Sequence, residues 1–127
     1  MKPIKLNIKT KSEKYPIIIG TNILKDLAVH ANKNSIDFNK CLLVIDKNVP
    51  TKMISKITKS LKKKQIFRFI FNSNEKNKNL KNVNKILQIL LNKNFSRLDC
   101  LLTVGGGITG DVGGFAASLY KRGLNFI

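Results

Sequence analysis

The residues best suited to chemistry in this sequence lie together near its C-terminal end. Three consecutive glycines at positions 105–107 follow an apolar run, and Gly110 and Asp111 come shortly after them. Glycine lets a backbone approach a phosphate closely, and the N-terminus of a helix adds free N–H groups and a positive dipole. We therefore interpret this stretch as a phosphate-binding turn in preference to a plain tight turn, because three glycines followed by an acid are uncommon in simple turns.

Gly105, Gly107 and Gly110 also have the G-x-G-x-x-G spacing of a dinucleotide-binding turn. That fingerprint requires an acidic residue about 20 residues further on, at the end of the next strand. Residues 125–127 read Asn-Phe-Ile instead. The fingerprint also belongs on the first strand of its fold, whereas this stretch comes late. The turn is therefore not a standard first dinucleotide-binding turn.

The helix predicted after the glycines, over residues 109–121, carries little side chain on one face. Its small residues are Gly110, Gly113, Gly114, Ala116, Ala117 and Ser118. Glycine in a helix interior costs about 0.5–1 kcal/mol relative to alanine, which suggests that another group comes close to this face. That group is either a ligand or the neighbouring sheet, and the residues alone favour neither.

Strands and helices alternate along the sequence and must position these residues. Residues 41–46 form a continuous apolar run that ends in Asp46, which is typical of a parallel strand covered on both faces. The order of elements indicates an α/β fold that is Rossmann-like, with a mostly parallel sheet and helices on both faces. The other predicted elements are strands at 66–71 and 100–104, helices at 53–61 and 80–91, a polar loop at 72–78 and the start of a strand at 124–127.

The N-terminal residues follow a different pattern. Residues 4–9 alternate apolar and polar side chains, and residues 15–20 form a second strand-like run. The two runs are predicted to pair as a hairpin or an edge ribbon. Thr21 is the predicted N-cap of a helix over residues 23–28, and His30, on the same helix, is interpreted as structural.

The composition is that of a folded domain. Of 127 residues, 43% are hydrophobic and 24% are charged, so the chain can bury a core. No apolar run approaches the roughly 20 residues of a membrane-spanning helix, and the N-terminus lacks the apolar stretch of a secretory signal. Cys41 and Cys100 have no ligand-spaced partners and are interpreted as buried hydrophobes in a reducing compartment. We expect a cytoplasmic protein with no membrane association.

The formal charge of +17 has two explanations. A basic face is typical of nucleic-acid binding. However, the chain has 21 Lys, 15 Asn and 16 Ile against 3 Arg, and the first three have AT-rich codons. The lysines are scattered, and few aromatic residues interleave with them as stacking platforms. We favour compositional bias and expect no nucleic-acid partner, although the charge can steer anionic substrates.

Residues 105–123, GGGITGDVGGFAASLYKRG, resemble the signature of 3-dehydroquinate synthase, a sugar phosphate cyclase. The family pattern is G-G-G-h-h-G-D-h-x-G-F-h-A-x-x-h-x-R-G, where h is apolar. The strand ending in Asp46 agrees in order, and Arg97-Leu98-Asp99 is similar to the family's R-x-D. The resemblance covers the whole chain but only the N-terminal third or so of the family's length. Residues 1–127 are therefore interpreted as an N-terminal NAD-binding domain, truncated inside a strand.

The resemblance implies where NAD binds. Asp46 matches the acid that holds the ribose hydroxyls, and Asn48 lies close enough to assist. The loop with Glu75 and Lys78 matches the family's D-G-E-x-x-K, although Ser-Asn at 73–74 replaces Asp-Gly. The implied cofactor-binding residues are Asp46, Asn48, Ser73, Asn74, Glu75, Lys76, Asn77, Lys78, Gly107, Ile108, Thr109, Gly110 and Asp111.

The reaction that the resemblance implies converts 3-deoxy-D-arabino-heptulosonate 7-phosphate to 3-dehydroquinate and phosphate, in the shikimate pathway. Arg122 matches the arginine that binds the phosphate of this sugar acid, reached in a neighbouring subunit of a homodimer. A divalent metal, zinc or cobalt, polarises the alcohol that NAD oxidises. Its Glu and His ligands lie in the family's helical second domain. We therefore expect no catalytic residue, no metal ligand and no synthase activity in this chain alone.

Three alternatives remain open. The first is a non-catalytic nucleotide-binding remnant of such a gene. The second is part of another sugar phosphate cyclase, and the third is a basic nucleic-acid-binding protein. Asp111 and Phe115 favour the dehydroquinate branch among the cyclases. Iron-dependent alcohol and glycerol dehydrogenases share a G-G-G-S-x-x-D loop but lack the continuation that ends here in Arg122 and Gly123.

Overall fold

Residues 2–127, which the computed structural model describes, form six strands and four α-helices. In chain order these are β1 (Ile4–Lys9), β2 (Lys14–Ile19), α1 (Leu27–Lys33), β3 (Lys40–Asp46), α2 (Thr51–Ser60), β4 (Gln65–Phe71), α3 (Leu80–Asn92), β5 (Cys100–Val104), α4 (Gly107–Leu119) and β6 (Asn125–Phe126). Short 3-10 turns lie at Ile23–Asp26, Glu75–Asn77 and Tyr120–Arg122. The alternation predicted from the sequence is confirmed, and the predicted polar loop contains the second of these turns.

The last four strands form one parallel sheet in the order β4-β3-β5-β6. From β3 the chain moves outward through α2 to β4, and then returns through α3 to β5 on the other side of β3. The winding direction therefore reverses between β3 and β5.

Both faces of this sheet are covered, because side chains of β3 alternate between two hydrophobic clusters. Leu42 and Val44 pack with residues of α3 and α4, whereas Leu43 and Ile45 pack with residues of α1 and α2. Complete burial of such side chains contributes roughly 1.5–3 kcal/mol each. The predicted Rossmann-like α/β class, with helices on both faces of a parallel sheet, is confirmed.

Strands β1 and β2 form a separate antiparallel hairpin, in which Ile4 lies opposite Ile19. This confirms the predicted pairing. The predicted N-cap at Thr21 is wrong. Asn22 has a left-handed backbone (φ 57°) and itself precedes the 3-10 turn, so Thr21 is separated from the helix, and Asp26 occupies the position before α1.

Helix α4 differs from its predicted bounds at both ends. It begins at Gly107, before Thr109, so the last of the three consecutive glycines is already helical. It ends at Leu119, because Lys121 and Arg122 both have left-handed backbones, with φ of 45° and 66°. A right-handed helix cannot continue through two such residues.

Two glycines of α4 lie against the sheet. A Cβ on Gly113 would overlap with Cγ2 of Thr103 on β5, and a Cβ on Gly114 would come within 3.2 Å of the Phe126 ring on β6. For these two positions the close approach is therefore to the neighbouring sheet, which was one of the two alternatives left open by the sequence.

Cys41 and Cys100 lie opposite each other on β3 and β5, and both are buried free thiols. The hydrogen bond to Cys41, together with burial, raises the pKa of the Cys100 thiol far above its ordinary value. This confirms their interpretation as buried hydrophobes. Among the helices of residues 2–127, none combines the length and the apolar character required to cross a membrane.

Candidate functional site

The carboxyl ends of β3, β4 and β5 meet at one edge of the sheet, here called the carboxyl edge. Asp46 lies opposite Phe71 in register, and Ile45 lies opposite Val104, so Asp46 adjoins the turn that follows β5. Because the winding reverses between β3 and β5, α2 and α3 lie on opposite faces and leave a crevice between these two strand ends. Open α/β sheets bind their ligands in such a crevice.

Asp46 supplies a carboxylate at this crevice. Its Oδ1 accepts hydrogen bonds from the backbone N–H of Asn48, at 3.1 Å, and from Asn48 Nδ2, at 3.4 Å. Its Oδ2 accepts no hydrogen bond from any group in residues 2–127. The side chain is half-buried, so this second oxygen is available to ligand hydroxyl groups.

Gly105 brings the end of β5 against Asp46. A Cβ at this position would lie 2.8 Å from Thr109 Oγ1 and 2.9 Å from Asp46 Cβ, and its φ is 158°. A side chain at position 105 would therefore separate the two strand ends, and only glycine permits their approach.

The next glycines have open space instead. Apart from the adjacent residues and the backbone of the helix itself, a Cβ on Gly106, Gly107 or Gly110 would meet no atom of residues 2–127 within 4 Å. These residues lie at the start of α4, where backbone N–H groups and the positive end of the helix dipole are directed outwards. The first turn of α4 is therefore a bare backbone surface with room for an anionic group beside Asp46.

Two predicted cofactor-binding residues of this turn have side chains that face inwards. Ile108 packs against the core between the sheet and α3, and Thr109 is fully buried. The Thr109 hydroxyl has no hydrogen-bond partner among residues 2–127. The Thr109 side chain is therefore closed off from a ligand, whereas that of Ile108 is only partly buried.

The loop after β4 reaches the same edge and is tied to α4 by an ion pair. Lys78 Nζ lies 2.9 Å from Asp111 Oδ2, and both side chains are exposed. The hydrogen bond and the charge of Asp111, with a smaller effect from Glu75, raise the pKa of Lys78. The pair places one cation and one anion at the mouth of the crevice.

Other predicted members of this loop are arranged around the 3-10 turn. Glu75 and Lys76 are exposed, whereas Ser73 and Asn77 are half-buried. Asn74 caps the turn, because its side chain accepts a hydrogen bond from the Asn77 N–H. Asn74, one of the two residues that replace the family's Asp-Gly, thus builds the local structure of the loop.

Arg122 is not brought to the carboxyl edge. Helix α4 runs back across the sheet, and its 13 residues span about 20 Å. Arg122 is exposed beyond its far end, in the left-handed turn that leads into β6. His30 is half-buried on α1, on the opposite face of the sheet from α4, in keeping with a structural role.

Sequence reasoning placed Asp46, Asn48, Lys78, Asp111 and the glycines in one site, and the fold brings them to one edge. It did not find that Lys78 pairs with Asp111, since no local pattern links a loop to a distant helix. It also missed a buried asparagine, Asn82, beneath the loop. The spacing of Asn79 and Asn82, three residues apart at a helix start, was the one available signal.

The fold is that of a Rossmann-like α/β domain, and solved structures of two sugar phosphate cyclases share it. A structure of 2-deoxy-scyllo-inosose synthase complexed with carbaglucose-6-phosphate, NAD+ and Co2+ matches with a TM-score of 0.85 and 21% identity, over 97% of this chain and 34% of that one. A 2-epi-5-epi-valiolone synthase from Streptomyces hygroscopicus with NAD+ and Zn2+ bound matches with a TM-score of 0.73 and 22% identity, over 94% of this chain and 33% of that one.

Within that class, the sequence matches one family. Residues 68–127 match the family described as 3-dehydroquinate synthase N-terminal. The chain is 58% identical to a 3-dehydroquinate synthase of Pelagibacter ubique, over 98% of this chain and 34% of that protein. It is 36% identical to one of Alkaliphilus metalliredigens, over 97% of this chain and 33% of that protein.

These matches confirm the resemblance to 3-dehydroquinate synthase, in the N-terminal part of that family. The chain spans about a third of the length of these curated relatives. The likeness to the two solved cyclases is one of fold.

Proposed function

We propose that this chain forms the NAD-binding part of a 3-dehydroquinate synthase. The complete enzyme would convert 3-deoxy-D-arabino-heptulosonate 7-phosphate to 3-dehydroquinate and phosphate. The observation that carries the proposal is the crevice between Asp46 and Gly105, beside the three glycines at the start of α4, Gly106, Gly107 and Gly110, that have open space around them. A carboxylate and an uncovered helix N-terminus are the two groups that a ribose and a diphosphate require.

Each residue of the crevice has a distinct part in this proposal. Asp46 accepts hydrogen bonds from ribose hydroxyls through its available Oδ2. The bare first turn of α4 receives the diphosphate on its backbone N–H groups, because no side chain stands in the way. Lys78 and Asp111 hold the remaining part of the dinucleotide by charge and hydrogen bonding. NAD, when bound, supplies the hydride-accepting group of the reaction.

The divalent metal of the proposed enzyme does not fit residues 2–127. They contain no group of three His, Cys, Asp or Glu side chains that could hold a metal ion. We therefore assign no zinc or cobalt ligand to this part of the chain. Ligands for the metal, in this proposal, come from the part of the family's length that the chain does not span.

Arg122 has a separate part in the proposal, at the other end of α4. Its exposed guanidinium would bind the phosphate of the substrate in a second subunit, through the planar fork that suits phosphate oxygens. A left-handed backbone costs a non-glycine residue about 1 kcal/mol. Arg122 is the second of two successive residues with this conformation. Such strain is often found at functional positions.

Titration of the 127-residue chain with NAD in a calorimeter tests whether the chain binds NAD. Specific binding that Asp46→Ala weakens strongly, with an unchanged fold by circular dichroism, is the expected result. The absence of NAD binding by the folded wild-type chain would refute it.

A chimaera tests whether the chain supports the proposed synthase reaction. This chain replaces the corresponding N-terminal part of the Pelagibacter ubique synthase, to which it is 58% identical. We expect NAD-dependent release of phosphate from the sugar acid phosphate. A folded chimaera that binds NAD but releases no phosphate would favour the non-catalytic remnant, provided that the parent enzyme is active in the same assay.

A further inference from the structure

The loop between β4 and α3 is held by a set of asparagine hydrogen bonds. Asn74 Oδ1 accepts from the Asn77 N–H at 2.8 Å, and Asn77 Nδ2 donates to the carbonyl of Asn72 at 2.8 Å. These bonds close the 3-10 turn onto the end of β4. The loop that carries Glu75 and Lys78 therefore has a defined conformation.

Asn82, in the first turn of α3, holds this loop from beneath. It is 9% exposed, and its Nδ2 donates to the carbonyl of Asn77 at 2.8 Å. Its own backbone N–H is already used by the side chain of Asn79, at 3.0 Å. The side chain of Asn82 is thus not needed to cap the helix, and its burial keeps it away from a ligand in the crevice.

The carbonyl that Asn82 binds belongs to the peptide group joining Asn77 to Lys78. The same carbonyl also accepts from the Asn79 N–H at 3.0 Å, so Asn82 adds a second hydrogen bond that restrains the plane of this peptide. That plane sets the positions of the Lys78 N and Cα, from which its side chain leaves the backbone. Lys78 then meets Asp111 across the mouth of the crevice, with Nζ and Oδ2 2.9 Å apart. An exposed lysine has many rotamers, so a fixed backbone reduces the entropy lost in forming the pair.

We propose that Asn82 is a positioning residue, which directs Lys78 towards Asp111 by holding the peptide between Asn77 and Lys78. The consequence for nucleotide binding rests on the proposed function: the loop is arranged before the dinucleotide arrives, and little affinity is spent on ordering it. Asn82 therefore has a structural role, whereas the abundance of asparagine in this sequence is explained by the bias towards AT-rich codons.

The test compares Asn82→Ala with Asn84→Ala. Asn84 is exposed on the same helix, and its side chain makes no hydrogen bond within residues 2–127. Alanine is a better helix former than asparagine, so neither exchange weakens α3 by propensity. The first measurement is the pKa of the Lys78 amine, followed through its 13Cε resonance without nucleotide. We expect it to fall towards the ordinary lysine value in Asn82→Ala and to stay raised in Asn84→Ala.

The second measurement is the NAD affinity of the same variants by calorimetry. The loss of one hydrogen bond predicts binding about fivefold weaker in Asn82→Ala. In a Lys78→Met background the same exchange should cause no further loss, because Asn82 acts through Lys78. Should Asn82→Ala fail to fold, Asn77→Ala breaks the next bond of the same set and takes its place.

A folded Asn82→Ala variant with an unchanged Lys78 pKa would overturn the inference, and so would an equal loss of affinity with and without Lys78. Failure of the wild-type chain to bind NAD would refute the proposed function alone. The pKa measurement needs no nucleotide and would still decide the role of Asn82.

Discussion

Each end of the parallel sheet carries an aspartate, and the two are used differently. Asp99, before β5, is buried and has both oxygens occupied: Oδ1 accepts from the Lys40 N–H at 2.9 Å and Oδ2 from the Ser96 N–H at 2.8 Å. Asp46, the last residue of β3, is half-buried, and among residues 2–127 it accepts hydrogen bonds only at Oδ1, from its own turn. A satisfied carboxylate stabilises the fold, whereas one with a spare oxygen can receive a ligand.

Helix α4 repeats this contrast along its length. Its first-turn glycines at the carboxyl edge have open space, and Gly113 and Gly114 lie against strands further along. Tyr120, beyond its last residue, is buried and donates to the carbonyls of Leu90 and Phe95. Within one helix, the same residue type leaves open space at one end and permits close packing further along. Substitutions can separate these two uses.

The largest effect is expected at the packed part of α4. Gly113→Val would force a side chain into Thr103, and we expect a loss of about 3 kcal/mol or more in the free energy of unfolding. Thermal and urea denaturation measure it. Gly110→Ala is the matched control, since its position is open and alanine favours a helix. An equally destabilising Gly110→Ala would remove the distinction between the two parts.

Gly107→Val examines the open part. The valine side chain would occupy the space proposed for the diphosphate, so NAD affinity should fall by a factor on the order of a hundred or more, equivalent to at least about 2.7 kcal/mol. The melting temperature should change little, because the added Cβ meets no atom of residues 2–127 within 4 Å outside the adjacent residues and the backbone of α4. Unchanged calorimetric affinity would show that the glycines form only a turn.

The third effect concerns Asp99. Burial opposes its charge, but backbone hydrogen bonds from Ser96, Lys40 and Asn39 outweigh it and lower the pKa of the carboxyl. Its contribution to stability is therefore complete above the unfolded pKa of about 3.9 and is lost as the pH falls through the lower folded value. Asp99→Asn should cost about 2 kcal/mol at pH 7 and remove this part of the acid dependence.

Urea denaturation as a function of pH gives both quantities for Asp99. Asp46→Asn is the counterpart at the other end of the sheet, where we expect little change in stability and a clear loss of NAD affinity. The contrast between the two aspartates would fail if Asp99→Asn weakened NAD binding while Asp46→Asn destabilised the fold.

A smaller effect is expected for Arg122→Lys in the chimaera with the Pelagibacter ubique synthase. The charge is kept but the bidentate fork is lost, so KM for the phosphorylated substrate should rise about fivefold, roughly 1 kcal/mol. NAD affinity should remain unchanged, because Arg122 lies at the far end of α4. Weaker NAD binding with an unchanged KM would contradict this assignment.

The smallest effect is expected at Thr109. Its buried hydroxyl has no partner among residues 2–127, so Thr109→Val removes an unsatisfied polar group without changing the side-chain volume much. We expect a gain of up to about 1 kcal/mol in stability, measured by thermal denaturation. A clear loss of stability would mean that the hydroxyl is hydrogen-bonded in solution, to water or to a polar group that lines the crevice.

Much of the fold could be predicted from the sequence because its signals are local. The apolar run ending in Asp46 marked a buried parallel strand, and the spacing of apolar residues marked α2 and α3. Boundaries were less predictable. Thr21 has the residue type of an N-cap, but the left-handed Asn22 separates it from α1. Residue type alone does not reveal the backbone angle of the next residue.

The sequence by itself determined the α/β class, the order of the elements and the residue types at the carboxyl edge, because hydrophobic periodicity and glycine chemistry are properties of neighbouring residues. Only the tertiary structure decided which glycines are open and which are packed, that Lys78 pairs with Asp111, and that Asn82 supports the loop. Each of these depends on atoms that are distant in sequence or on the path of the backbone, and the strand order β4-β3-β5-β6 brings the two sides of the crevice together.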